Sequence, residues 1–112
     1  MKRNCEIYLK DILTAMENIE EFVKGINYDG FIRDDKTMSA VIRKFEIIGE
    51  ATKQISDDIR QKHPEIPWKE MAGMRDRLIH FYSGVDYNLV WETINKRIPD
   101  VKPLIRKILK KD

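Results

Sequence analysis

The chain of 112 residues has one cysteine, Cys5, which excludes an intrachain disulfide and a cysteine-rich metal site. It lacks an apolar run near the roughly 18 residues that a membrane helix needs. Its first twelve residues lack the apolar core of a signal peptide. With five glycines and four prolines, it is also too poor in both for a collagen-like or linker-rich chain. These absences predict a soluble cytoplasmic protein with no membrane partner.

Several motifs that would carry known chemistry are also missing. The sequence has no glycine-rich phosphate loop, no H-E-x-x-H, no G-x-S-x-G and no pair of Cys or His at ligand spacing. We therefore expect neither a metal nor a cofactor. Of the two histidines, His63 precedes a proline at a predicted helix end, where a surface role near the helix dipole is favoured.

The composition that remains is that of a folded chain, with 42% apolar and 36% charged residues. Its length predicts one domain over residues 1–112. The net charge of +2 gives no nucleic-acid signal, but residues 11–30 have a net charge of −4 and residues 97–112 one of +4. Two solvated helix faces are the favoured interpretation. The alternative is a basic C-terminal stripe that touches phosphates.

Apolar residues recur at helical spacing along most of the chain, and no segment alternates as a strand does. The predicted helices cover 4–26, a stretch from Asp34 or Asp35 to about 55, a short segment from 56 to about 63, 67 to about 82, and 86 onward. Turn residues at 27–30 separate the first two. The fold class is therefore all-α, an antiparallel bundle of four to five helices.

Three residues inside these predicted helices modify them. Gly49 costs about 1 kcal/mol relative to alanine in a helix, which suggests a close approach to another helix. Pro99 and Pro103 should kink or split the last helical segment.

The segment from Met74 to Gly84 concentrates polar chemistry at the end of one predicted helix. On a regular helix Arg75 and Tyr82, seven residues apart, share nearly one face, whereas Arg75 and His80 are about 140° apart. For both to face one cleft, the arginine must reach round, or the helix must loosen or end near His80. By composition alone, such a run is usually surface charge.

The order Arg75-x-x-x-x-His80-x-Tyr82 resembles the signature of the HepT-like toxins of the HEPN superfamily. Residues 40–51, 68–75 and 84–99 are similar to the segments that surround that signature, so the resemblance covers nearly the whole chain. One departure is Asp76, where the family often has asparagine; a carboxylate there could reduce the availability of Arg75.

The resemblance implies a HEPN-like helical bundle that forms a two-fold homodimer in the prokaryotic cytoplasm. It implies a metal-independent endoribonuclease that cuts tRNA or mRNA, with Arg75 and His80 as catalytic residues. It further implies a minimal nucleotidyltransferase antitoxin as partner, which can transfer AMP to Tyr82.

These residues suit metal-free RNA cleavage, in which the 2′-hydroxyl of the RNA is the nucleophile. The reaction needs a base, an acid and a cation at the phosphorus. His80 titrates near neutral pH when unperturbed, and Arg75 stays charged and can grip phosphate oxygens. One chain supplies one motif histidine, so we expect the site in a dimer cleft, where two copies meet.

Other residues receive weaker predictions. Asp76 is expected either to orient Arg75 or His80 or to be solvated, and Arg77 to support the site. Three charged residues of the second long helix are expected to be structural or to support the site by pairing with Arg75 or Arg77: Arg43, Glu46 and Glu50. Two tryptophans, Trp68 and Trp91, are expected to anchor the core.

Two other functions stay open at this stage. One is a non-catalytic HEPN protein that binds nucleotide or nucleic acid for its transferase partner. The other is a purely structural helical dimer.

Overall fold

The computed structural model describes residues 3–80 and 84–111, and of Arg3, His80 and Lys111 it describes the backbone alone. The elements in chain order are α1 (Arg3–Phe22), α2 (Tyr28–Arg33), α3 (Asp35–Lys53), α4 (Asp57–Lys62), α5 (Trp68–Ala72), α6 (Met74–Leu78), β1 (Ile79–His80), β2 (Gly84–Val85), α7 (Tyr87–Glu92), a π-helical segment (Thr93–Arg97) and α8 (Ile98–Lys111). None of the helices described is long and apolar enough to cross a bilayer.

The long helices α1, α3 and α8 form the body of an all-α bundle, as predicted. α1 packs along α3 and against α8, and α5 packs on α3. Each helix contributes an apolar stripe to one contiguous core, and Phe31 and Phe45 are among its fully buried side chains. Burial of such stripes stabilises helices that would be marginal in isolation.

Side-chain caps begin three helices where the sequence predicts them. Asp34 accepts a hydrogen bond from the backbone N–H of Thr37 at 3.0 Å, which starts α3. Ser56 starts α4 and Asp86 starts α7 in the same way. Each cap satisfies one of the backbone donors that a helix N-terminus leaves unpaired.

Gly49 lies where α3 packs against the backbone of α5. A Cβ atom at this position would lie 3.3 Å from the carbonyl oxygen of Ala72. The glycine therefore lets a backbone approach where any side chain would crowd it, which confirms the close contact predicted from its place inside a helix.

The prediction of a plain turn at residues 27–30 was wrong, because α2 begins there. The side chain of Asn27 accepts a hydrogen bond from the N–H of Gly30 at 2.9 Å and caps this short helix. Phe31, on α2, is fully buried. Burial of this aromatic ring therefore overrides the turn propensity of the local sequence.

The single helix predicted from 67 to about 82 is also wrong. Gly73 separates two five-residue helices, α5 and α6, and the helix ends at Leu78. Ile79 is extended, with φ −121° and ψ 121°, and pairs with Val85 in a two-residue antiparallel ladder. The N–H of Asp86 donates to the carbonyl of Leu78 at 2.9 Å and closes the base of this hairpin. The strands are a small addition to the all-α prediction.

The C-terminal segment remains helical from Tyr87 to Lys111. The helix is irregular just before Pro99, one of the two prolines predicted to kink or split it. The chain widens there to a π-helical turn, in which the N–H of Ile98 donates to the carbonyl of Thr93. Such a turn accommodates a proline, which removes a backbone donor and crowds the preceding turn. Pro103 lies inside α8, which continues past it.

Two ion pairs join the acidic segment 11–30 to the basic segment 97–112. Lys102 of α8 pairs with Glu20 of α1, and Arg106 pairs with Glu17 at 3.0 Å. The two segments are joined at these two pairs, and the side chains of Arg106 and Glu17 stay about half exposed. Part of the C-terminal basic charge is neutralised within the chain, which weakens the alternative of a phosphate-binding stripe.

Candidate functional site

Arg75 lies on α6 with 57% of its side chain exposed. Its Nε atom is 3.1 Å from Oε2 of Glu46 on α3. In the part of the chain that the structure describes, Glu46 is the carboxylate within ion-pair distance of Arg75. The guanidinium thus contacts a long helix of the core, while more than half of the Arg75 side chain is exposed to solvent.

The end of α6 at Leu78 decides how the signature is arranged. Arg75 belongs to the helix, whereas His80 stands in β1, with its backbone paired to Gly84. The two residues are therefore not held at the 140° separation of a continuous helix. Of the arrangements that the sequence left open, the helix ends before His80. The side chain of His80 and all of Tyr82 lie outside the described residues.

The remaining residues expected to support the site lie in different surroundings. Asp76 is exposed, and no described residue forms a hydrogen bond or ion pair with its side chain. Glu50 is 3.5 Å from Lys53 rather than near an arginine. Arg43 and Glu50 line a shallow groove between α1 and α3. Glu46 is thus the member of the predicted trio that meets Arg75.

Arg77 meets a carboxylate that the sequence analysis did not single out. Its Nη1 atom donates to Oε1 of Glu70 at 2.6 Å. Arg97, in the π-helical segment, donates to the same carboxylate through Nε at 3.3 Å and through Nη2. Glu70 and Arg97 are 27 residues apart, so no local pattern signals this contact.

Glu70, Arg77 and Arg97 form a cluster of charged side chains. Hydrogen bonds from Arg97 and then Arg77 hold the pKa of Glu70 below its ordinary value of 4.5, against the opposing effect of burial. The hydrogen bond and charge of Glu70 raise the pKa of Arg97. Glu70 is therefore a carboxylate at neutral pH and carries one negative charge between two guanidinium groups.

Comparison with known proteins identifies the chain. The family described as "Ribonuclease HepT-like" matches residues 12–108, which include the Arg75–Tyr82 signature and the helices around it. The chain belongs to the HepT-like ribonuclease family. No solved structure matches it.

Three relatives of this HepT-like chain are similar over nearly their whole length. "Probable ribonuclease HepT" of Thermococcus cleftensis is 52% identical, covering 98% of this chain and 100% of its own. "Putative RNase MJ0125" of Methanocaldococcus jannaschii is 51% identical over 97% of this chain and 94% of its own. "Putative RNase TTE0752" of Caldanaerobacter subterraneus is 48% identical over 94% of both.

The other conspicuous side chains of the HepT-like chain are structural. Trp68 is buried, and its indole N–H donates to the carbonyl of His63 at 2.9 Å. Trp91 is partly buried, with its ring 5.0 Å from that of Phe31. His63 itself lies 3.4 Å from Glu65. No group of three described His, Cys, Asp or Glu side chains is arranged to hold a metal ion.

Proposed function

We propose that this chain is the toxin of a toxin–antitoxin pair, an endoribonuclease that cuts RNA without a metal through Arg75 and His80 in the cleft of a two-fold dimer. The observation that carries the proposal is the exposed guanidinium of Arg75, tied to Glu46 one turn before α6 gives way to the strand of His80. Relatives at about half identity are named ribonucleases.

Arg75 suits the role of the cation at the phosphate. Its ion pair uses Nε, so the Nη side of the guanidinium is directed away from the closest contact with Glu46. A guanidinium binds two phosphate oxygens in a fork and keeps its charge at any physiological pH. It would stabilise the extra negative charge that develops as the 2′-oxygen attacks phosphorus.

His80 suits the proton transfers of the same reaction. One imidazole takes the proton of the 2′-hydroxyl as the bond from the 2′-oxygen to phosphorus forms. Another group protonates the 5′-oxygen as its bond to phosphorus breaks, which leaves a 2′,3′-cyclic phosphate. The chain carries two histidines, and His63 is placed beside Glu65 at the end of α4. The second proton carrier is therefore His80 of a second copy.

The remaining parts of the proposal concern regulation and assembly. Residues 1–112 act as one HEPN domain, which agrees with a family match over 12–108. The partner is a minimal nucleotidyltransferase in the same prokaryotic cytoplasm. It silences the toxin by transferring AMP to the hydroxyl of Tyr82.

The test is cleavage of total RNA by purified protein in EDTA. Wild type should cut, whereas folded dimers of His80→Ala and Arg75→Ala should lose both cleavage and growth inhibition. Arg106→Ala is the matched control, because Arg106 is also a half-exposed arginine paired to one glutamate. Circular dichroism and size-exclusion chromatography check the fold of each variant. Full cleavage by folded His80→Ala, or RNA binding by wild type without cleavage, would reject the enzyme.

A further inference from the structure

Glu70 is shared by two arginines, which sets it apart from the other arginine–carboxylate contacts described. Glu46 meets Arg75, and Glu17 meets Arg106, one to one. Glu70 meets both Arg77 and Arg97. These three side chains together carry a net charge of +1, and Asp100 is a second acid near enough to Arg97 to raise its pKa.

More positive charge surrounds the cluster. An open groove of about 870 Å³ runs past it and is lined by Arg60, Lys69 and Arg77 together with Glu70. The guanidinium of Arg60 donates to the backbone carbonyls of Thr52 and Ile55, and no described carboxylate lies within ion-pair distance of it. Three bases thus face one acid along this groove.

The two arginines are both accessible and held in place. The side chains of Arg77 and Arg97 are 47% and 43% exposed, while that of Glu70 is 25% exposed. The carboxylate therefore lies beneath two guanidinium groups that reach solvent. Side chains fixed before binding lose less conformational freedom when a ligand arrives. Arginine is also the side chain whose geometry best matches a phosphate.

We infer that Arg77 and Arg97, joined by Glu70, bind backbone phosphates of the single-stranded RNA whose cleavage takes place at Arg75. This inference rests on the proposed ribonuclease function. Arg75 and Arg77 leave α6 two residues apart, about 200° around its axis. One helix width, about 10–12 Å, separates the two sides. A single-stranded RNA that contacts both must cross the exposed side of α6, where Asp76 lies between them.

A purely structural role for the cluster predicts a different pattern of mutant effects. If Glu70 only connects α5 and α6 to the π-helical segment, removing Glu70, Arg77 or Arg97 disrupts the same set of contacts. The three variants should then weaken RNA binding alike. If the arginines bind phosphate, loss of Arg77 or Arg97 weakens binding. Glu70→Gln keeps an amide oxygen that can accept a hydrogen bond from an arginine, and it removes a charge that repels RNA, so binding should not weaken.

The experiment measures binding of a fluorescent single-stranded RNA to dimers that also carry His80→Ala, which prevents cleavage. Arg77→Gln and Arg97→Gln should each weaken binding about threefold to tenfold at low salt, and each should reduce the salt slope by about 0.7, the value for one phosphate contact on a single strand. Glu70→Gln should bind at least as tightly as the parent. Arg106→Gln, matched in charge and exposure, should stay within about twofold of it.

Two results would overturn the inference while the proposed ribonuclease stands. One is an RNA affinity of Arg77→Gln and Arg97→Gln equal to that of Arg106→Gln. The other is a loss of binding in Glu70→Gln as large as in the arginine variants. Thermal unfolding checks each protein. Arg77→Lys and Arg97→Lys replace any glutamine variant that does not fold; each should weaken binding, because lysine cannot bind two phosphate oxygens in a fork, and should keep the salt slope of the parent. Binding equal to that of the parent would then overturn the inference. Absence of RNA binding by the parent together with absence of cleavage by wild type would overturn both proposals.

Discussion

The guanidinium of Arg75 and the carboxylate of Glu46 form an ion pair that joins α6 to α3, with Nε 3.1 Å from Oε2. α6 has five residues, whereas α3 has 19 and packs along α1. The ion pair thereby connects Arg75, on a short helix, to α3, the most extensively packed helix of the bundle. We expect this arrangement to let Glu46 position Arg75 for the proposed cleavage.

Glu46→Gln should lower kcat for RNA cleavage about tenfold, because a misdirected guanidinium loses alignment with the phosphate. The fold should persist, since a partly exposed ion pair contributes at most about 1 kcal/mol. The measurement is initial cleavage rate against RNA concentration. Glu50→Gln is the control on the same helix, with its side chain 72% exposed, and should retain the wild-type rate. Equal rates for all three proteins would contradict the positioning role.

A dimer of one wild-type and one His80→Ala chain should lose nearly all activity, because each cleavage is proposed to use both histidines. Two affinity tags allow the mixed dimer to be purified and compared with both parents. Half of the wild-type activity would indicate two independent sites. A fully active monomer would reject the shared cleft.

Tyr82 should gain one or more AMP units when the chain is incubated with its partner transferase and ATP, and cleavage should fall with the modification. The added phosphodiester carries about one negative charge, which can pair with Arg75, and the adenosine occupies space that RNA needs. Intact-mass measurement reports the change, and Tyr82→Phe is the control. AMP on another residue, or modified protein that cuts at the original rate, would reject this regulation.

Stability should fall in acid partly through Glu70. Because its pKa is lowered in the folded state from 4.5, its contribution to the free energy of unfolding is complete above that value and is lost as the pH falls through the lowered pKa. The stability difference between wild type and Glu70→Gln should therefore shrink as the pH falls below about 4.5. Urea unfolding from pH 6 to pH 3 measures it. A difference that stays constant over this range would contradict the prediction.

Local chemistry explains which elements could be predicted. The caps at Asp34, Ser56 and Asp86 depend on a side chain and a backbone N–H three residues away, so the sequence contains the whole interaction. The close approach at Gly49 is likewise marked by the residue itself.

Long-range contacts explain what could not be predicted. Ile79 fits the helical pattern before it, yet it becomes extended because it pairs with Val85. The C-terminal end of α6 is thus decided by a partner outside the helix, whereas α2 begins at Asn27, a cap that the local sequence contains. Glu70 also gave no signal, because its partner Arg97 lies 27 residues further along the chain. The contact between them and the π-helical turn that carries Arg97 arise only in the fold.

The residues of the candidate site also differ in how far the sequence could predict them. Arg75, His80 and Tyr82 stand out through their fixed spacing and resemblance, whereas the sequence did not distinguish Glu46 from Arg43 and Glu50. The roles of Arg75, His80 and Tyr82 remain predictions for the experiments above. The charge of Arg77 was visible, but its partner was not.

The pairing of α1 with α8 has a consequence for how the protein is made. Lys102 and Arg106 contact glutamates more than 80 residues earlier, and Ile105 is fully buried in the shared core. A ribosome adds about 5–20 residues each second, starting from the N-terminus. The side of α1 that α8 covers therefore stays uncovered for several seconds, until α8 emerges. Folding of this chain is completed after translation of α8, so nascent fragments lack the finished bundle.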